Sequence, residues 1–109
     1  MESLKKNSEF QAVYRQGRSF VNKYLVMYIK GNESEKNRIG ISVSRKVGNS
    51  VVRHRITRLI RESCRLNEEK FEKGYDMAVV ARVAAKGRSY REMEGALLHL
   101  GRLHGICEK

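Results

Sequence analysis

Between Asn49 and Arg65 the chain packs five arginines and one histidine into thirteen residues: Arg53, His54, Arg55, Arg58, Arg61 and Arg65. Each guanidinium presents a planar fork of donors that matches a phosphate, so this density points to a polyanion. The spacing is not that of a basic tail. Val52, Ile56, Leu59, Ile60 and Ser63 recur at i, i+4, i+7, i+8 and i+11, the pattern of an amphipathic helix. At about 100° per residue they share one arc. His54, Arg58, Arg61 and Arg65 fall on the far side, and Arg53 and Arg55 flank the apolar seam. Only Glu62 interrupts the cations, so pairing one turn apart leaves most of them uncompensated. A merely solvated helix face would carry more acidic partners. Asn49 or Ser50 is the expected N-cap. Arg45 and Lys46 stand just before it, and the N–H groups around Gly48 to Ser50 add an anion-friendly helix start.

The rest of the composition agrees. The 109 residues carry 23 Lys+Arg against 12 Asp+Glu, a formal net charge of +11. That balance favours nucleic acid, with an anionic membrane surface as a weaker option. No apolar run approaches the length of a membrane span. The first residues, Met1 to Lys6, lack a hydrophobic signal region, so a cytoplasmic location is expected. Cys64 and Cys107 are far apart and form no CxxC, whereas zinc needs about four ligands at tighter spacing. Cys64 is expected as a small buried hydrophobe. His54, His99 and His104 show no triad or metal spacing, and no carboxylate pair stands out in the basic region. No catalytic residue and no metal ligand is therefore assigned.

These side chains need a scaffold, and its elements can be read along the chain. Residues 8–16 form a first helix with Phe10, Val13 and Tyr14 on one face, ended by Gly17. Residues 19–22 form a short strand. Residues 25–30 alternate, with Leu25, Met27 and Ile29 on one side and Val26, Tyr28 and Lys30 on the other. After a polar loop at 31–37, residues 38–44 alternate again. Ile39, Ile41 and Val43 face one way; Gly40, Ser42 and Ser44 face the other. Those small residues leave room for a ligand or for a closely packed helix. The arginine helix ends near Asn67 or Glu69. Residues 76–83 read as a central strand, and Ser89-Tyr90-Arg91-Glu92 as a capping box opening a helix to His104. The order α-β-β-β-α-β-α predicts an α+β fold, a two-layer α/β sandwich on a four-stranded sheet, in one nucleic-acid-binding domain over 1–109. The second helix is then a crossover between two strands.

Residues 38–62, RIGISVSRKVGNSVVRHRITRLIRE, closely resemble the signature of the protein subunit of bacterial ribonuclease P. Residues 10–17, FQAVYRQG, resemble that family's first helix, and residues 75–82, YDMAVVAR, its last strand. The resemblance implies a ribosomal protein S5 domain 2-like fold with a left-handed βαβ crossover. It implies a ribonucleoprotein endonuclease that removes the 5′ leader of precursor tRNA, with the chemistry done by the RNA subunit and its bound Mg²⁺. It also implies one protein per catalytic RNA and no magnesium cage in the protein. RNA binding would fall to Arg45, Lys46, Arg53, His54, Arg55, Arg58 and Arg61. The leader would lie in a cleft lined by Phe10, Tyr14 and Tyr28. The family usually has asparagine at the position of His54 and lysine at that of Thr57.

Composition alone fits a general RNA-binding or ribosomal-type protein equally well. A DNA-binding module with the arginine helix in a major groove, and a nuclease acting without RNA, are further alternatives.

Overall fold

The computed structural model describes residues 1–107. In chain order it contains β1 (Glu2–Ser3), α1 (Asn7–Gln16), β2 (Arg18–Val21), β3 (Leu25–Gly31), β4 (Arg38–Ser42), α2 (Ser50–Leu66), β5 (Tyr75–Ala81) and α3 (Tyr90–Leu103). Short 3-10 turns at Glu68–Lys70 and Val83–Ala85 fill two connections. The strands form one mixed sheet in the order β1-β4-β5-β3-β2. β4 is parallel to β1 and β5, and β3 is antiparallel to β5 and β2. Helix α2 is thus the crossover between two adjacent parallel strands.

The sheet has five strands rather than the four expected. The addition is β1, two residues held by Glu2 N–H to Asn37 O (3.1 Å) and Leu4 N–H to Ile39 O (2.9 Å). So short a strand shows no alternation for a sequence to display. Strands β4 and β5 also stop earlier than their apolar runs, β5 because the chain curls at Val83–Ala85.

Alternation sorts the strand residues between two faces. Leu25, Met27, Ile29, Ile39, Met77 and Val79 point to one side and pack with Ile56, Ile60 and Cys64 of α2 and Met93, Leu97 and Leu100 of α3. On the other side Ala78, Leu4 and Val13 form a smaller cluster under α1. The two-layer sandwich therefore carries α1 as a partial third layer. The helix starts follow side-chain chemistry. Asn49 Oδ1 accepts the Val52 N–H at 3.0 Å. Ser89 and Glu92 close the expected capping box.

Two glycines are fixed by close approach. Gly17 ends α1 in an extended conformation, φ −82°, not the left-handed one common after helices. A Cβ there would lie 2.5 Å from both Ile29 O and Val13 O. At Gly40 a Cβ would stand 2.3 Å from the Phe10 ring. The small strand face is therefore filled by a helix at this point. Gly40→Val should push Phe10 and α1 off the sheet and destabilise the fold by about 1–3 kcal/mol, read as a lower Tm.

His104 caps α3 and is buried. Its Nε2–H donates to Met27 O at 2.9 Å, while Nδ1 is buried without a partner. Burial holds its pKa below the usual 6.5; the Met27 bond opposes this and the nearby Arg18 charge reinforces it. The unfolded chain therefore takes up the proton more readily than the folded one. The contribution of His104 is complete above pH 6.5 and lost as pH falls below it. Wild-type Tm should drop between pH 7.5 and 5.0, and His104→Gln should flatten that part of the profile.

Candidate nucleic-acid interface

Helix α1 is anchored at its start by charge. Arg38 on β4 grips Asp76 of β5 with two bonds, Nε to Oδ1 at 2.9 Å and Nη2 to Oδ2 at 2.6 Å, and also bonds Glu9 of α1. Burial alone would raise the Asp76 carboxyl, but hydrogen bonds from Arg38 and Asn32 bring it below its ordinary value. Glu9 is held down to about 2, first by the N–H groups of Lys6 and Lys5 and then by Arg38. Arg38 is raised by the same Asp76 bond. Both carboxylates stay ionised at neutral pH, so Arg38 is occupied within the fold and α1 is tied across two strands.

That anchoring places three aromatic rings together. Phe10 and Tyr14 lie 6.3 Å apart between centroids, and Tyr14 meets Tyr28 edge-on at 4.9 Å. All three are half-buried over Leu4, Val13 and Ala78. Burial, and next Tyr28, raise the Tyr14 phenol, with Ser42 opposing them; it remains neutral at pH 7. Strand register puts Gly40, Ala78 and Tyr28 in one row and Ser42, Val80 and Val26 in the next. The second row is half-exposed. The result is a trough with aromatic sides and a small, mostly apolar floor.

The arginine helix lies on the opposite face of the sheet, where Ile56 and Ile60 are buried. Arg45, Lys46, His54, Arg58 and Arg61 are exposed and pair with no carboxylate among the described residues. Two of the seven sequence-assigned residues differ. Arg55 is exposed but donates to Arg88 O at 3.0 Å, tying α2 to the start of α3. Arg53 is half-buried, and its Nε is buried without a partner. Arg65 pairs with Glu62. Thr57 turns its hydroxyl onto Arg53 O at 3.0 Å, so its one donor is committed within the helix.

Between the two faces, a recess of about 340 Å³ at the C-terminal ends of β4 and β5 brings Lys46 together with Lys23, Ser44 and Arg82. Arg82 was not singled out from the sequence, because only the sheet register brings it to Lys46. Its Nη1 also bonds Asn22 O at 2.6 Å.

The family model described as Ribonuclease P matches residues 1–103, nearly the whole chain. The chain belongs to the ribonuclease P protein family. A relative from Lachnoclostridium phytofermentans named "Ribonuclease P protein component" is 59% identical over 105 residues, covering 96% of this chain and 90% of the relative. The ribonuclease P protein structure from Staphylococcus aureus superposes with a TM-score of 0.90 at 34% identity and covers 99% of both chains. That from Thermotoga maritima gives 0.84 at 29% identity, over 94% of this chain and 97% of the other. A variant of the Staphylococcus aureus protein, 35% identical over 95% of this chain and 88% of that one at a TM-score of 0.88, is described as defective in mRNA degradation activity. The protein is thus the protein component of ribonuclease P, an endoribonuclease, and its partner is the ribonuclease P RNA.

A magnesium ion held by the chain itself would need converging oxygen ligands. Among the described residues no three His, Cys, Asp or Glu side chains converge as ligands. Glu62 is the one carboxylate on α2. Cys64 is buried, and burial pushes its thiol up to about 12, as suits a packing residue. No helix among the described residues is long and apolar enough to cross a membrane.

Proposed function

We propose that this chain holds the ribonuclease P RNA on α2 and its approach while its aromatic trough takes the 5′ leader of precursor tRNA. The observation that carries this reading is the separation of two surfaces. Unpaired cations lie on one face of the sheet, and half-exposed rings over a small-residue floor lie on the other. Phosphate contacts from Arg45, Lys46, His54, Arg58 and Arg61 suit a structured RNA. Arg53 and Arg55 join this set from the shoulders of α2. Rings accept unpaired bases of any sequence, which suits leaders that vary. One protein serves one catalytic RNA in the cytoplasm, and Mg²⁺ is held mainly by that RNA.

The test is reconstitution. Added to a bacterial ribonuclease P RNA at low magnesium, the chain should restore leader cleavage. No stimulation, where a known protein component works, would favour a general RNA-binding role. Leader removal by the chain without RNA would favour a protein nuclease.

A further inference from the structure

Away from α2's exposed face and the trough, a groove of about 280 Å³ runs between the β2–β3 turn and α3. Lys23, Arg91, Gly95 and His99 line it, all exposed. Three features make it more than a surface crease. The first is charge. Lys23 and Arg91 make no ion pair within 4.0 Å among the described residues, and the Arg91 charge acts on Glu94 only at longer range. Glu92 also lines the groove, but its carboxylate is committed to the Ser89 cap, to Tyr24 at 3.3 Å and to Arg88 at 3.6 Å.

The second is the state of His99. The Asn22 amide nitrogen lies 2.9 Å from Ala96 O and 3.2 Å from His99 Nδ1. Asn22 Oδ1 already accepts the N–H groups of Tyr24 and Leu25, which fixes the amide orientation. Its NH₂ must therefore donate to His99 Nδ1, leaving the other ring nitrogen as an N–H donor. The third is Gly95. A Cβ there would meet nothing within 4 Å, and no left-handed backbone demands glycine. Glycine in an exposed helix interior is unfavourable, and here its effect is to keep the groove open.

The groove also continues from the RNA-binding helix. Arg55 bonds Arg88 O, and the Arg88 guanidinium sits 5.2 Å from the Tyr24 ring centre. Lys23 lies 5.7 Å from the same ring. We infer that the Lys23–Arg91–His99 groove is a second phosphate subsite. It receives a backbone phosphodiester of the ribonuclease P RNA as that strand passes from α2 across the start of α3. The two cations supply charge, and the fixed imidazole N–H supplies a directed donor. This rests on the proposed binding of that RNA to α2.

The test measures binding of the ribonuclease P RNA over a salt series. Lys23→Gln/Arg91→Gln should reduce the salt slope by about 1.5 to 2 and weaken binding roughly tenfold at physiological salt. Lys70→Gln/Lys73→Gln removes the same charge elsewhere and should change the slope little. Gly95→Leu adds bulk without charge; it should weaken binding severalfold while keeping or raising Tm. Wild-type affinity and slope in both groove variants would overturn the subsite and leave α2 binding intact. An equal loss in the Lys70/Lys73 control would also overturn it, as a generic charge effect. Wild-type protein that fails to bind the RNA would overturn both proposals.

Discussion

Replacing Arg58 and Arg61 together with alanine should weaken assembly with the ribonuclease P RNA by tenfold or more at physiological salt. It should also reduce the slope of log affinity against log salt by about 1.5 to 2. The structure makes this pair the cleanest probe of the helix. Both side chains are exposed, and neither bonds another element. Folding stability should change by no more than about 0.5 kcal/mol. Arg55 would be a poorer probe, because its bond to Arg88 O also joins α2 to α3. Arg53 is poorer still, since its buried Nε mixes packing with binding. Affinity titrations with the RNA alone give the measurement. An unchanged salt slope would remove phosphate contacts from the exposed face of α2.

The second large effect belongs to the trough. Tyr28→Ala should weaken holoenzyme binding of precursor tRNA by roughly 1–3 kcal/mol, the worth of one stacked base. Mature tRNA should bind as before. Tyr28 stands at the middle of β3, edge-on to Tyr14, so its loss removes one side of the trough and loosens the other. Tyr28→Phe keeps the ring and should keep most of the affinity. Equal losses for precursor and mature tRNA would place the leader elsewhere.

Local patterns carried much of this into the sequence. The α2 seam, the Asn49 cap, the Ser89–Glu92 box and the alternation of β3 each depend on neighbours a few residues apart. The family signature supplied the rest of the topology. What escaped depends on distant contacts. The Arg38–Glu9–Asp76 anchor joins residues 29 and 38 positions apart, and nothing local marks Arg38 as occupied. Arg55 and Arg88 are 33 apart. Gly40 read equally as room for a ligand or for a helix, and only the Phe10 ring above it decides for the helix. Phe10, expected in the cleft, is half-buried, with its ring seated on Gly40 and one flank beside Tyr14. Strand β1 pairs only two residues, too few for a period.

The central claim is that two RNAs meet two faces of one sheet. Site-specific photocrosslinking in the assembled complex tests it most directly. A photoreactive side chain at position 28 should crosslink to the 5′ leader of precursor tRNA. The same group at position 58 should crosslink to the ribonuclease P RNA. Crosslinks from both positions to the same RNA, or from position 28 to the mature tRNA body, would contradict the account.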